Sequence, residues 1–362
     1  MATKEQILKK LQSVPYPGYS RDIVSFGLVK EVRACGNMAT LKLELVTTEG
    51  KAGSKLRPSI EQALRELGIT EIDLQINEKT TAEANAEKLA ARQAAMNNSL
   101  AGVQYKIAIA SGKGGVGKST VAVNLAFALK ALGKKVGLLD ADIYGPNLPM
   151  MLGLEGKQPR SANRKIVPLE RDGVKVMSLG FLAPSDTAVI WRGPLVSRAI
   201  EQMLRDVDWG ELDFLLLDLP PGTGDAQLTI SQKLVLTGAV IVSTPQPVAL
   251  SDAMKGLRMF QKVNVPVLGV IENMSRFLCP DCGKEHDIFG YGGVREAARR
   301  EGVTFLGDIP IIAAVRVGGD TGAPVVLAQP QLEVAKRFLK VAQNVLEEVE
   351  AQAEVAPKRF VF

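Results

Sequence analysis

The segment SGKGGVGKST (111–120) sets glycines at 112, 114, 115 and 117 around two lysines, Lys113 and Lys118, and closes on two hydroxyls, Ser119 and Thr120. Glycines let successive backbone N–H groups turn inward, and such a concave row of donors binds phosphate oxygens. The spacing Gly-x-x-x-x-Gly-Lys-Ser/Thr is met from Gly112 to Ser119, with Val116 inside the loop. In this pattern Lys118 reaches the β- and γ-phosphates and the Ser119 hydroxyl is a Mg²⁺ ligand. Lys113 is one cation more than phosphate binding needs.

Two other sets of residues could do chemistry. Asp140 and Asp142 end the apolar run in LLDAD, and Asp218 ends the one in FLLLDLPPGTGD. At the carboxyl ends of parallel strands, three carboxylates would converge on the loop around a metal and its water. A lone aspartate there is more simply a helix cap or turn former. Cys279 and Cys282 stand in CPDCG, a spacing that brings two thiolates onto one metal or cluster. Three readings of the pair stay open. A redox dithiol would prefer a helix N-terminus, whereas this pair follows a strand pattern. A zinc knuckle could take His286, the only histidine, as a third ligand, but no second CxxC follows. A [4Fe–4S] cluster asks for four thiolates, which a symmetric dimer supplies if the pair lies near its two-fold axis.

These residues must be positioned by a scaffold. From Tyr105 onward, KIAIA, KVGLLDAD, KVMSLGF, FLLLDLP, AVIVSTP, VLGVIEN and TFLGDIP are short apolar runs. Helical patterns such as STVAVNLAFALKALG and SDAMKGLRMFQKV lie between many of them. Continuous apolar strands imply a sheet buried on both faces and therefore mostly parallel, with ligand loops at the strands' carboxyl ends. The expected class is α/β, a phosphate-loop domain over 105–362. Its last helix carries Phe338, Leu339, Ala342, Val345, Leu346 and Val349 as a core-facing stripe. Residues 1–77 read as a small α+β unit in the order α-β-β-α-β, with LVKEVRA and ATLKLELV joined as a hairpin at CGN. Residues 78–104, rich in alanine and polar residues, read as a partly helical linker.

Composition narrows the class further. Apolar residues make up 46% of 362, enough for a full core, while aromatics at 5% argue against a base-stacking surface. A net charge of +5 suits an anionic ligand but is too dispersed for a nucleic-acid tract. Three cysteines give no disulfide framework, so a reducing, cytoplasmic setting is expected. No run reaches the roughly 18 apolar residues of a membrane span. The charged opening MATKEQILKKLQSVPYPG is not expected to be a secretory signal.

Lys113 with Lys118 in KGGVGKST resembles the deviant Walker A pattern of the family containing MinD, ParA and the nitrogenase iron protein. The resemblance implies an ATP- and Mg²⁺-dependent homodimer in which Lys113 reaches across to the partner's phosphates. Such a trans cation is worth roughly 10³–10⁵ in rate in other nucleotidases. It implies Asp142 orienting the attacking water, Asp140 and Asp218 holding the metal's water shell, and Asn273 in IENM reading the adenine edge. KGGVGKST, LLDADIYGPNLP, WRGP, LLLDLPPGTGD, IENMS and CPDC together resemble the Mrp/ApbC branch, over 105–362. Members of that branch are ATPases that bind and transfer iron–sulfur clusters to apo-proteins. The implied partners are client proteins and an assembly scaffold, with no nucleic acid or membrane. Residues 1–77 resemble a small iron–sulfur-assembly domain through RDIVSFGLVKEV. The usual Asp-Pro-Glu there reads YPGYSRD, and TTEGKAGSKLRPS lacks the reactive cysteine. Cys35, in the hairpin, is expected to be a small buried or turn residue. A MinD/ParA-like positioning switch, and the same ATPase with a structural zinc at the CxxC, are the alternatives.

Overall fold

The computed structural model describes residues 2–47, 52–142, 145–182 and 193–355. Ile143 and Tyr144 of LLDADIYGPNLP, Trp191 and Arg192 of WRGP, residues 48–51 before the second helix, and the tail from 356 lie outside them. The chain divides into two compact units, Met1–Arg92 and Gln93–Phe362.

The first unit has the order α-β-β-α-β. Its first helix, α1 (Lys4–Leu11), starts on a capping box in which Thr3 and Gln6 exchange side-chain-to-backbone bonds. β1 (Val29–Cys35) and β2 (Met38–Thr47) form an antiparallel hairpin, with Cys35 opposite Met38 across Gly36 and Asn37. Cys35 is exposed beside this turn rather than buried. α2 (Ala52–Arg65) leads to β3 (Glu71–Thr80), which pairs parallel with β2. Ala39, Leu41, Leu43 and Leu45, alternate residues of β2, share one core with Ile7 and Leu11 of α1 and Leu56, Ile60 and Leu64 of α2. The stretch read as a linker contains the end of β3 and a helix, α3 (Thr81–Ser99), across which the two units divide. Alanine-rich sequence favours helix, and the missing apolar stripe reflects how little of α3 is buried, chiefly Met96 near its end.

The second unit alternates strands and helices. β4 (Val103–Ser111), α4 (Lys118–Ala131), β5 (Val136–Asp140) and a short turn of helix, α5 (Leu148–Met151), come first. A meander follows: β6 (Arg160–Ala162), β7 (Lys165–Val167), β8 (Leu169–Arg171) and β9 (Val174–Ser178). Then come α6 (Gly193–Asp206), β10 (Leu212–Asp218), α7 (Asp225–Lys233), β11 (Gly238–Ser243), α8 (Pro247–Lys262) and β12 (Val267–Leu278). The chain continues through β13 (Glu285–His286), α9 (Gly293–Glu301), β14 (Phe305–Ile311), α10 (Ala313–Asp320), α11 (Val325–Ala328) and α12 (Glu333–Val355).

The sheet order is β13-β12-β11-β4-β10-β5-β9-β8, with β14 also on β12. Only β8 and β13 run antiparallel to their neighbours. β5 and β11 are buried at every residue, as expected of strands covered on both faces. Because α4 follows the central strand β4, it is enclosed too: every residue from Val121 to Leu129 is buried. α12 packs on α4 and β14, and its Phe338, Ala342, Val345 and Val349 are fully buried.

The stripe on α12 is therefore core. Truncating Phe338→Ala should cost about 3–5 kcal/mol, typical of a large buried aromatic. Denaturant unfolding of the full chain reads this directly; a loss under about 1 kcal/mol would show that the ring is not enclosed.

Candidate functional site

The phosphate loop connects β4 to α4 at the carboxyl edge of the sheet. α4 begins at Lys118, after Gly117 in the left-handed region (φ +78°), and no side chain caps it. Its first N–H groups therefore open toward a cleft of about 320 Å³ lined by Lys113, Gly114, Gly115, Gly117, Lys118, Ser119 and Thr120. A Cβ at Gly112 would lie 2.1 Å from the Asp252 carbonyl carbon, so only glycine lets the loop pass this close to α8. Val116 is buried and anchors the loop's middle.

The Lys118 ammonium is 6% exposed and donates to Asp218 Oδ1 at 2.6 Å, with Asp142 Oδ2 at 3.9 Å. Asp218 is fully buried at the end of β10, and its Oδ2 has no hydrogen-bond partner. An orphaned carboxylate oxygen beside a serine hydroxyl at a phosphate loop fits a hydrated divalent cation. Lys118 Nζ also lies 3.4 Å from Ser119 Oγ, so Asp218, Asp142 and Ser119 surround one ammonium.

Asp140 is placed differently from the expectation. Its Oδ1 accepts from Asp142 N–H at 3.1 Å, and its Oδ2 faces Ser178 Oγ at 3.0 Å and Leu148 N–H at 3.4 Å. Burial, reinforced by the nearby charge of Asp218, pushes its carboxyl up to about 8. Its three protein partners tie the ends of β5 and β9 to α5 and position the segment carrying Asp142.

Asn273 reaches the phosphate loop. It is 5% exposed, and its Nδ2 donates to the Val116 carbonyl at 2.9 Å. A Cβ on Gly117 would come within 2.2 Å of the same nitrogen. Asn273 thus braces the loop through one of its two amide N–H groups.

Sequence reasoning missed the cleft's far wall. α10 supplies Val315, Arg316 and Asp320, with Arg316 and Asp320 paired at 2.5 Å. The segment GDTGAPVV joins α10 to α11. The Val326 N–H donates to Asn124 Oδ1 of α4, fastening this wall to the helix that bears the loop.

The cysteine pair sits on a knuckle extending β12. Phe277 pairs with His286 and Leu278 with Glu285, while Gly283 N–H donates to the Cys279 carbonyl and Cys279 N–H to that of Lys284. The knuckle is held by Arg276, which pairs with Glu285 and Asp287 and lies 3.4 Å over the Tyr291 ring. Backbone N–H groups of Cys282 and then Asp281, with a lesser contribution from the Cys282 side chain, lower the Cys279 thiol below its usual value. Cys282 is exposed, and His286 is exposed on β13. Among the described residues no group of three His, Cys, Asp or Glu side chains is gathered for a metal, so His286 does not complete a site with the pair.

A sequence model of the family described as "ParA: NUBPL iron-transfer P-loop NTPase" matches residues 102–346. The chain belongs to this family. An iron–sulfur cluster carrier protein of Helicobacter pylori is 43% identical over 346 residues, spanning 95% of this chain and 92% of that protein. Among solved structures, a nucleotide-binding protein from Archaeoglobus fulgidus in complex with ADP is 39% identical, with TM-score 0.60, over 68% of this chain and 96% of that one. The cell division ATPase MinD of Pyrococcus furiosus is 28% identical with TM-score 0.52, over 67% of this chain and 98% of that one. The family is thus a P-loop nucleotidase family, and its fold here is the one described above.

The raised carboxyl of Asp140 has a measurable consequence. Its stabilising effect is complete below the ordinary value of 3.8 and is lost as pH rises through about 8, because the unfolded chain releases this proton earlier. Asp140→Asn preserves the neutral shape and removes that slope. Melting curves without metal or nucleotide should show the variant gaining on the parent as pH climbs from mildly acidic through about 8. A constant offset would mean that Asp140 is ionised throughout.

Proposed function

We propose that the protein is an ATP-hydrolysing carrier that holds a [4Fe–4S] cluster between two copies of the chain and passes it to apo-proteins. The observation that carries this reading is the placement of two incomplete sites on one edge of one sheet. Lys113 is at the end of β4 and Cys279 at the end of β12, with only β11 between those strands. Those strands stand about 10 Å apart across the sheet, and β12 runs on past Glu272 to Leu278 before the cysteines. A second copy docked on this edge is within reach of both.

Lys118 and the N–H groups opening α4 bind the phosphates, and Ser119 and Asp218 would hold Mg²⁺. When bound, the metal screens the charge of the β- and γ-phosphates. Asp142 orients the attacking water, and Lys113 completes the partner's pocket in trans. Cys279 and Cys282 present two thiolates per chain, with Cys279 already favoured as thiolate by its N–H donors. Two chains present four, the number such a cluster takes. ATP serves as the signal that closes the two copies, not as a donor to the cargo. The curated relative carries clusters by name, and the absence of a third ligand near the pair, among the described residues, speaks against a mononuclear zinc site within one chain.

Lys113→Ala or Lys113→Gln should leave nucleotide affinity within a few-fold while hydrolysis falls by roughly 10³ or more. Lys118→Ala should weaken binding itself. Equal losses of affinity in both, by titration with a fluorescent ATP analogue, would remove the trans role. Anaerobic reconstitution with iron and sulfide should give the parent a visible charge-transfer band that Cys279→Ser lacks. A Cys279→Ser protein holding the same iron as the parent would end the cluster assignment.

A further inference from the structure

The mechanism so far leaves two adjacent buried polar residues without a task. Glu272 is fully buried and Asn273 is 5% exposed, in the middle of β12. Consecutive strand residues point to opposite faces, so the two reach different neighbours. Asn273 holds the phosphate loop through the Val116 carbonyl. Glu272 accepts from Gly292 N–H at 3.1 Å and Val294 N–H at 2.9 Å, capping α9. Gly292 is where the chain returns from the cysteine knuckle. The knuckle is thus tied at its start by β12 itself, and at its end by Glu272 of the same strand.

β12 also changes its pairing at this point. Its register with β14 shifts between Asn273 and Phe277, and Met274 lies in the left-handed region at φ +54°. The strand beyond Asn273 is therefore not locked residue by residue to its neighbour. Ser275 gives it one fixed point, donating to Asp308 Oδ2 at 2.8 Å, where Arg337 also binds.

We propose that Glu272 and Asn273 form the link through which the phosphate loop and the cysteine knuckle sense each other. Asn273 positions the loop, Glu272 positions the return of the knuckle, and the irregular segment between Asn273 and Cys279 lets a shift at one end reach the other. The link rests on the reading that the loop takes nucleotide and the knuckle holds the cargo. It acts within a single chain, before any partner docks. By reciprocity, whatever the loop's ligand does to the knuckle, a ligand of the knuckle does to the loop.

Hydrogen exchange of the full chain, without iron or sulfide, with and without Mg·ADP, tests this. In the parent, ADP should slow exchange across 112–120 and also, by fivefold or more, across 279–292. In Asn273→Ala, at ADP concentrations that saturate it, the protection across 279–292 should be lost. No change at 279–292 in the parent, or the same change in Asn273→Ala, overturns the proposal. If Asn273→Ala fails to bind ADP, Glu272→Gln decides, because it leaves the loop brace intact and gives up one of two capping acceptors. It should bind ADP like the parent and show the distant protection reduced; full retention overturns the link. Because no cluster is present, failure here is separate from failure of the carrier reading, which iron reconstitution reports.

Discussion

Parallel strands deliver every following loop to the same edge of a sheet, and this constraint organises the molecule. β4, β5, β10, β11 and β12 all run the same way, so the phosphate loop, Asp142, Asp218 and the cysteine knuckle emerge together. Nothing in the chemistry of phosphate requires cysteines nearby. Their common edge is the feature on which the proposed docking of two copies rests.

Beneath that edge the core is apolar, and the buried polar side chains gather where the strands end. Lys118, Asp140, Asp218, Glu272, Asn273 and Ser275 are each no more than 6% exposed. Burying such groups is costly unless they are paired, and here the pairs hold moving parts in place. Asp140 and Ser178 fasten the segment bearing Asp142, Asn273 braces the phosphate loop, and Glu272 caps the helix after the knuckle. The unpartnered Oδ2 of Asp218 is the exception among them.

Much of this was legible in the sequence, for physical reasons. Glycine and lysine spacing dictated the loop, because few other residue types allow its backbone. The fully buried strands showed as unbroken apolar runs, and β2 as clean alternation. The short strands β6, β7 and β8 were not legible, since three residues with none buried carry no periodic signal. Asp140 and Asn273 were found as polar residues, but their bonds to Leu148, Ser178 and Val116 were not legible. Whether a carboxyl is neutral depends on what buries it, and whether an amide faces ligand or backbone depends on which strand lies beside the loop. Both are set by tertiary packing. Arg316 and Asp320 went unseen for the same reason: α10 becomes a wall of the cleft only once α11 is fastened to Asn124.

The most direct test of the central claim is molar mass in solution, measured anaerobically together with iron content, with and without a slowly hydrolysed ATP analogue. The account predicts a species of twice the chain mass carrying about four iron atoms per pair of chains when loaded. An iron-loaded protein that remains a single chain with its full complement of metal would contradict it.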